Sequence, residues 1–186
     1  KEIIDSEEVT YRPDVPADIR AEIERIVVRQ SIEAVKDELN EIDLYIPCNP
    51  NLLMLDFGES YFDLLKELIP EQQLPNITLV MAEHLYIGDV KQLHNAARYI
   101  KTYGVRIALK DVGSKSRLEN LLMLEPAVLK IRVAQLNYNL WGAQNHVFTT
   151  IRALALKMGA SLLIENIETV YQLQYGWKNG ARYYKG

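Results

Sequence analysis

The sequence predicts an α/β protein whose parallel strands belong to a barrel. Five short apolar runs, rich in β-branched residues, have segments of helical spacing between most of them, and such runs are typical of buried parallel strands. They are residues 43–47, 77–83, 106–111, 128–132 and 161–165. Most of these runs end in a polar or charged residue, and α/β barrels place their active sites at the mouth formed by such strand ends.

The size of the chain indicates one domain. At 186 residues, with 48% hydrophobic and 25% charged residues, it can bury a substantial core, so we expect a single barrel domain over residues 1–186. A complete barrel takes about 250 residues, and we therefore expect one that is incomplete at both ends. An open doubly wound sheet is the alternative. It is less well supported, because no glycine-rich phosphate loop follows the first strand.

The first half of the chain predicts three helices and two strands. Residues 17–39 have helical spacing, and the expected buried stripe consists of Ile23, Ile26, Val27, Ala34 and Val35. After strand 43–47, the CNPN sequence predicts a turn. A helix over 59–68 stops before Pro70, and strand 77–83 follows directly. The next helix, 90–103, is closed by Gly104 in the C-cap position.

The second half continues the alternation of strands and helices. After strand 106–111, Ser116 and Glu119 have the spacing of a capping box, which predicts a short helix ending near Pro126. Helices are expected over 148–158 and 170–178, on either side of strand 161–165. Tyr183 and Tyr184 are expected to begin a sixth strand.

Charge and composition exclude several classes of protein. A net charge of -4 with scattered basic residues argues against binding to a nucleic acid polymer, which requires clustered positive charge. No apolar run approaches the roughly 18 to 20 residues that span a bilayer, so no membrane segment is expected. The single cysteine, Cys48, excludes an intrachain disulfide, and the acidic start is unlike a signal peptide. We expect a cytoplasmic protein.

Four ordered segments at the predicted strand ends resemble the motifs of the EAL family. LVMAEH (79–84), IALKDVG (107–113), LKIR (129–132) and IENIETVYQL (164–173) correspond to LEITE, ALDDFG, LKID and AEGVET. EAL domains are modified (β/α)8 TIM-type barrels that hydrolyse cyclic di-GMP with two divalent metals. The resemblance implies that fold and a signalling context for this chain. Residues 49–67 and 172–186 resemble one branch of the family in particular.

The resemblance also shows which of the family's metal ligands are lost. The glutamate that opens LEITE falls on Val80, the first aspartate of the DD pair falls on Lys110, and the asparagine of the preceding strand falls on Pro47 or its neighbour. An ammonium about 4 Å from a divalent ion, at an effective dielectric near 20, is repelled by roughly 8 kcal/mol. We therefore expect no metal, no cofactor, no catalytic residue and no hydrolysis: a degenerate homologue rather than an enzyme.

A mixed-charge cluster is expected to remain in place of the catalytic centre. Its members are Glu83, Lys110, Asp111, Lys130, Glu165 and Lys185, with Arg132 at the position of the LKID aspartate. In one interpretation this vestigial pocket is a metal-free ligand site in which lysines face the phosphates of cyclic di-GMP. In the other, the charges pair with one another and form a satisfied polar plug.

Three functional hypotheses follow from these residues. The chain is a protein-interaction or homodimerisation scaffold in cyclic di-GMP signalling, which is the hypothesis that we favour. It is alternatively a metal-free receptor for cyclic di-GMP. The third hypothesis, a slow metal-dependent phosphodiesterase, requires metal ligands outside residues 1–186.

Overall fold

A computed structural model describes residues 14–54, 56, 58–82, 90–112, 123–135 and 143–186. Strands and helices alternate through these residues. The helices are α1 (Ala17–Glu33), α2 (Pro50–Leu53), α3 (Glu59–Leu68), α4 (Val90–Lys101), α5 (Ala143–Met158) and α6 (Val170–Lys178), with 3-10 helices at Glu71–Asn76 and Val133–Gln135. The strands are β1 (Leu44–Pro47), β2 (Ile77–Ala82), β3 (Arg106–Lys110), β4 (Val128–Arg132), β5 (Ser161–Glu165) and β6 (Tyr183–Tyr184).

The chain divides into two compact units. The first contains residues 1–81 and 85–106, and the second contains residues 82–84 and 107–186. Each unit contains parallel strand pairs joined by helical connections, which confirms the predicted α/β class. The single barrel domain over residues 1–186 stays a prediction.

The strands of the first unit are buried and parallel. β1 pairs with β2 in a register that runs from Leu44 opposite Ile77 to Pro47 opposite Val80. Every residue of β2 is buried, as expected for a strand covered on both faces. Asp43, which was predicted to belong to β1, precedes the strand and forms an ion pair of 2.5 Å with Arg106.

Helix α1 differs from the prediction in both its end and its buried face. The helix stops at Glu33, and turns stabilised by bonds such as Val35 N–H to the Ile32 carbonyl follow. Its buried residues are Glu24, Val28 and Ile32, whereas Ile26 is 46% exposed. The predicted buried stripe was therefore wrong. Glu24 lies on the inner face instead, where its carboxyl group accepts a hydrogen bond from a buried backbone N–H.

An aromatic cluster joins α3 to the end of α4. The Phe62 ring stacks on Tyr103 with 3.8 Å between ring centroids and meets the edge of Tyr99 at 5.6 Å. Gly104 follows with a φ of +87°, and an added Cβ there would lie 2.8 Å from Cγ of Pro75. Pro75 belongs to the 3-10 helix before β2, an element that the residue pattern did not predict.

The second unit contains four parallel strands in the order β3, β4, β5, β6. Ala108 lies opposite Val128, Arg132 opposite Glu165, and Ile164 opposite Tyr184. The carboxyl ends of these strands therefore share one edge. Helix α5 packs on β5 and begins at Ala143, earlier than predicted. The helix predicted from Ser116 lies largely outside the described residues.

Candidate functional site: the charged strand ends of the second unit

Charged side chains occupy the carboxyl ends of the strands in the second unit. Residues two positions apart in a strand point to the same face, so Lys130 and Arg132 project together from β4. Glu165 ends the neighbouring strand β5 in register with Arg132. Lys110 ends β3, and Lys185 directly follows β6. The predicted pocket residues that the structure describes therefore lie along one edge of the strands, at their carboxyl ends.

Lys130 and Glu165 form a nearly enclosed ion pair. The Lys130 Nζ atom lies 2.8 Å from Oε1 of Glu165, and the side chains are only 12% and 13% exposed. Both charges have lost most of their hydration, so each depends on the other for compensation. This contact fits the polar-plug interpretation of the cluster.

Asp111 is paired with an arginine. Arg132 Nη2 lies 2.6 Å from Asp111 Oδ1, and Asp111 has a left-handed backbone with a φ of +61°. Aspartate tolerates this conformation better than most residues, since its short side chain can bond locally. The tight turn aims the carboxylate at β4. The sequence placed Arg132 in the mixed-charge cluster, at the position of a lost aspartate, but nothing in the spacing indicated that it would bind the surviving acid.

The remaining predicted residues are placed differently. Lys185 is exposed, while its backbone N–H donates to the Ile164 carbonyl at 2.8 Å and its carbonyl accepts from Ile167. Lys110 is half-buried beside Asp111. Glu83 lies outside the described residues. The strand ends in the described part of this unit therefore carry four cationic side chains and two carboxylates.

The described positions at which the resemblance places the family's metal ligands do not fit a divalent ion. Val80 is 4% exposed and offers no donor atom, and Pro47 is opposite it in the β1–β2 register. Lys110 supplies a cation, and Asp111 is engaged by Arg132. Within the described residues, no group of three or more His, Cys, Asp or Glu side chains could hold a metal ion. Divalent cations require several oxygen ligands, which these side chains do not supply.

A second polar site, which was not predicted from the sequence, lies in the first unit. Glu24 of α1 is 5% exposed, and its Oε1 accepts a 2.9 Å hydrogen bond from the backbone N–H of Asn49. Asn49 in turn caps α2, because its side chain accepts from Asn51 N–H at 3.0 Å. The only sequence signal was the spacing of Glu24, Val28 and Ile32, which places the acid in line with two core residues.

Burial dominates the ionisation of this second site. It raises the pKa of Glu24 to about 7, against the lowering effect of the Asn49 N–H and smaller effects of Cys48 and Tyr61. Burial and the neighbouring Glu24 charge raise the pKa of the Cys48 thiol well above its ordinary value. Since the thiolate is the reactive form, this environment disfavours Cys48 as a nucleophile.

Comparison with known proteins identifies the class. The pattern of the EAL domain matches residues 16–186, and the chain belongs to the EAL family. Among individual proteins, it is 36% identical over 175 residues to the uncharacterized EAL-domain containing protein YkuI of Bacillus subtilis (strain 168), covering 92% of this chain and 43% of that protein. This confirms both the family and the branch expected from the sequence.

Solved structures confirm the fold. The chain resembles the crystal structure of Bacillus subtilis YkuI in complex with cyclic di-GMP and calcium, with a TM-score of 0.83 and 35% identity over 100% of this chain and 46% of that one. The manganese and cyclic di-GMP complex of Klebsiella pneumoniae BlrP1 has a TM-score of 0.77 at 16% identity, covering 92% and 45% of the two chains. The latter supports the EAL barrel fold alone. The chain spans less than half the length of YkuI.

The described helices also bear on membrane association. None of them combines the length and the apolar character needed to cross a lipid bilayer.

Proposed function

We propose that this chain is a non-hydrolytic EAL domain that acts as a protein-interaction and homodimerisation scaffold in cyclic di-GMP signalling. The Arg132–Asp111 ion pair carries the non-hydrolytic part of the proposal. Two-metal hydrolysis needs carboxylates that are available to the cations, and at this position the remaining aspartate binds a guanidinium. Val80 and Lys110 stand at two more positions where the family has a carboxylate ligand, and neither side chain offers an oxygen atom.

An assay of cyclic di-GMP hydrolysis with Mg²⁺ or Mn²⁺ tests this part. We expect no linear dinucleotide product that depends on metal, and calorimetry should detect no saturable Mn²⁺ binding. Turnover that a chelator abolishes would contradict the proposal. The variant carrying Val80→Glu and Lys110→Asp is the matched comparison. If the wild-type chain turns over slowly and this variant is much faster, the domain is instead a weak phosphodiesterase.

The scaffold role is supported by an exposed apolar stripe on α6. Val170, Leu173 and Trp177 recur at helical spacing and are 70%, 40% and 70% exposed. Helix faces of this kind are uncommon on monomers and are typical of protein contacts. Aromatic residues such as Trp177 also carry a large share of the binding energy in interfaces.

Sedimentation analysis tests self-association through this stripe. We expect the chain to form a dimer at about 100 μM, and Trp177→Ser should weaken it by tenfold or more. Tyr171→Ser removes an aromatic side chain that is also exposed but lies about a third of a turn away from the stripe on the helix, and it should leave association unchanged. A strict monomer at that concentration would refute the dimerisation scaffold.

The second candidate is a metal-free receptor for cyclic di-GMP. It is favoured by the excess of cationic side chains at the strand ends and by the YkuI complex with this nucleotide. Lys110 and Lys185 would then bind phosphate oxygens that metal ions hold in hydrolytic relatives. The single cysteine and the family's nucleotide both fit a cytoplasmic location, which we also propose.

Titration calorimetry without metal distinguishes this candidate from the scaffold. Binding that Lys110→Ala and Lys185→Ala each weaken, and that Lys157→Ala on the surface of α5 does not, supports a receptor. If no heat of binding is detected at about 100 μM cyclic di-GMP, the receptor hypothesis is excluded.

A further inference from the structure

A cavity in the first unit lies beside the buried carboxyl group of Glu24. It has a volume of about 80 Å³ and lies between α1 and α3, near α2. Its lining residues are Ala21, Glu24, Arg25, Leu52, Asp56, Ser60, Tyr61 and Leu64. One water needs only about 10 to 15 Å³ on this measure, so the cavity can hold several waters or a small organic molecule.

One carboxylate oxygen in this cavity wall has no hydrogen bond of normal geometry. Glu24 Oε1 accepts the Asn49 N–H, whereas Oε2 is buried and accepts no hydrogen bond of normal geometry from the described residues. The Cys48 and Tyr61 side chains approach the carboxyl as weak hydrogen-bond donors that lower its pKa, but neither reaches Oε2 with normal hydrogen-bond geometry. Leaving a buried acceptor unsatisfied costs about 1 to 3 kcal/mol, more if it is charged.

The rest of the lining favours an apolar body. Ala21, Leu52 and Leu64 contribute aliphatic surface, and the Tyr61 ring adds an aromatic face. The polar groups of the lining are those of Glu24 and Arg25 on α1, Asp56 just before α3, and Ser60 and Tyr61 in the first turn of α3.

The cavity has a route to solvent. A groove between α1 and α3 shares Arg25, Ser60 and Leu64 with the cavity. Ile26 contributes to the groove and is 46% exposed. Farther along the two helices, Arg29 and Glu67 form an exposed pair at 3.5 Å. A small molecule can therefore enter between the helices without crossing the core.

We propose that this cavity is a binding site for a small organic cation, a primary ammonium or amidinium group with a short apolar tail. The cationic head donates a hydrogen bond to Glu24 Oε2, and the tail lies against Leu52, Leu64 and the Tyr61 ring. Small sites of this kind combine an apolar lining with one or two polar groups that fix the orientation of the ligand. The site is separate from the charged strand ends of the second unit.

The charge of Glu24 gives the proposal a distinctive pH dependence. Burial holds the pKa of this carboxyl at about 7, and a cation binds its ionised form, so affinity should rise as Glu24 loses its proton. An alkylammonium stays protonated up to about pH 10 and does not titrate in this range. The affinity should therefore be about tenfold higher at pH 8 than at pH 6.

Calorimetric titration with n-butylammonium chloride and with benzamidine tests the proposal. We expect dissociation constants of about 1 mM at pH 8, because ligands with so few non-hydrogen atoms can gain only a small binding free energy. Glu24→Gln should weaken binding at least tenfold, while Glu22→Gln on the exposed face of α1 should not. Ala21→Leu fills the cavity and leaves Glu24 in place, so it should also abolish binding. Circular dichroism verifies that each variant is folded.

Three results of the probe and variant titrations would overturn the proposal, and the pH series adds a fourth. They are the absence of saturable binding of both probes at about 10 mM, binding that Ala21→Leu leaves intact, and equal affinity for the neutral analogue 1-butanol. Affinity that does not change between pH 6 and pH 8 also contradicts it, since Glu24 would then have no part in recognition.

Discussion

Arg132 and Asp111 form an ion pair with Nη2 and Oδ1 2.6 Å apart, and the two partners are very unequally exposed. The arginine side chain is 57% exposed, whereas the aspartate is 8% exposed and has a φ of +61°. Water can take the place of Asp111 around the guanidinium. It has much less access to the carboxylate, so the pair matters chiefly to the aspartate.

This inequality predicts an asymmetric response to mutation. Arg132→Met should lower the free energy of unfolding by about 2 kcal/mol, because it takes a charged partner from a buried carboxylate. Asp111→Asn should cost less, about 1 kcal/mol, since asparagine is neutral and also tolerates a positive φ. Urea denaturation measures both values. Equal losses, or a larger loss for Asp111→Asn, would show that the arginine does not compensate the acid.

The Lys130–Glu165 pair predicts a non-additive mutant cycle. Both side chains are largely enclosed, so Lys130→Met or Glu165→Leu alone should cost about 3 kcal/mol by leaving one buried charge unpaired. The double variant replaces the pair with two apolar side chains and should cost much less than the sum. Chemical denaturation of the three variants tests this, and strictly additive losses would mean that water compensates each charge separately.

Gly104 predicts a backbone effect that can be separated from a steric one. Gly104→Ala should destabilise the fold by about 3 kcal/mol, since the residue has a φ of +87° and the new Cβ would meet the Pro75 ring at 2.8 Å. Gly159→Ala is the control. Its φ is +71° but nothing lies within 4 Å, so it should cost only about 1 kcal/mol. Similar thermal midpoints for the two variants would exclude the Pro75 contact.

Glu24 predicts a loss of stability as the pH rises. Its pKa is about 7 in the folded protein against an ordinary value of 4.5, so the folded state holds the proton more tightly. The stabilising effect is complete below about pH 4.5 and is lost as the pH rises through about 7, a change of about 3 kcal/mol. The free energy of unfolding of Glu24→Gln, measured relative to the wild type at the same pH, should therefore be higher at pH 8 than at pH 5. Glu22→Gln should show no such difference, and identical pH profiles for Glu24→Gln and wild type would refute the prediction.

The strands were predictable from the sequence, but the partners of their polar ends were not. Residues 128–132 and 161–165 are short, largely apolar runs that end in charged residues, a pattern that predicts buried strands, so Lys130 and Glu165 could be placed at one edge in advance. The Arg132–Asp111 contact depends on a left-handed turn at Asp111, which no local pattern specifies. Position along a strand fixes which edge a residue occupies, whereas pairing depends on the geometry of the following turn.

For helix α1, the sequence did not predict which face is buried. A glutamate flanked by Arg25 and Ile23 is normally assigned to the solvent face, and Glu24 faces inward only because the turn after β1 supplies the Asn49 N–H. That donor is far away in sequence. Helical periodicity therefore predicted the existence of α1 correctly while assigning the wrong buried face.

The enclosure of Cys48 makes the protein convenient to label. The side chain has no exposed surface, and its thiol is held in the protonated form, so maleimides and other alkylating reagents should leave the native fold unmodified. A cysteine introduced on the outer surface of α6 would then be the single attachment point for a fluorophore or spin label. Distances between labelled copies could be measured without first removing the natural thiol.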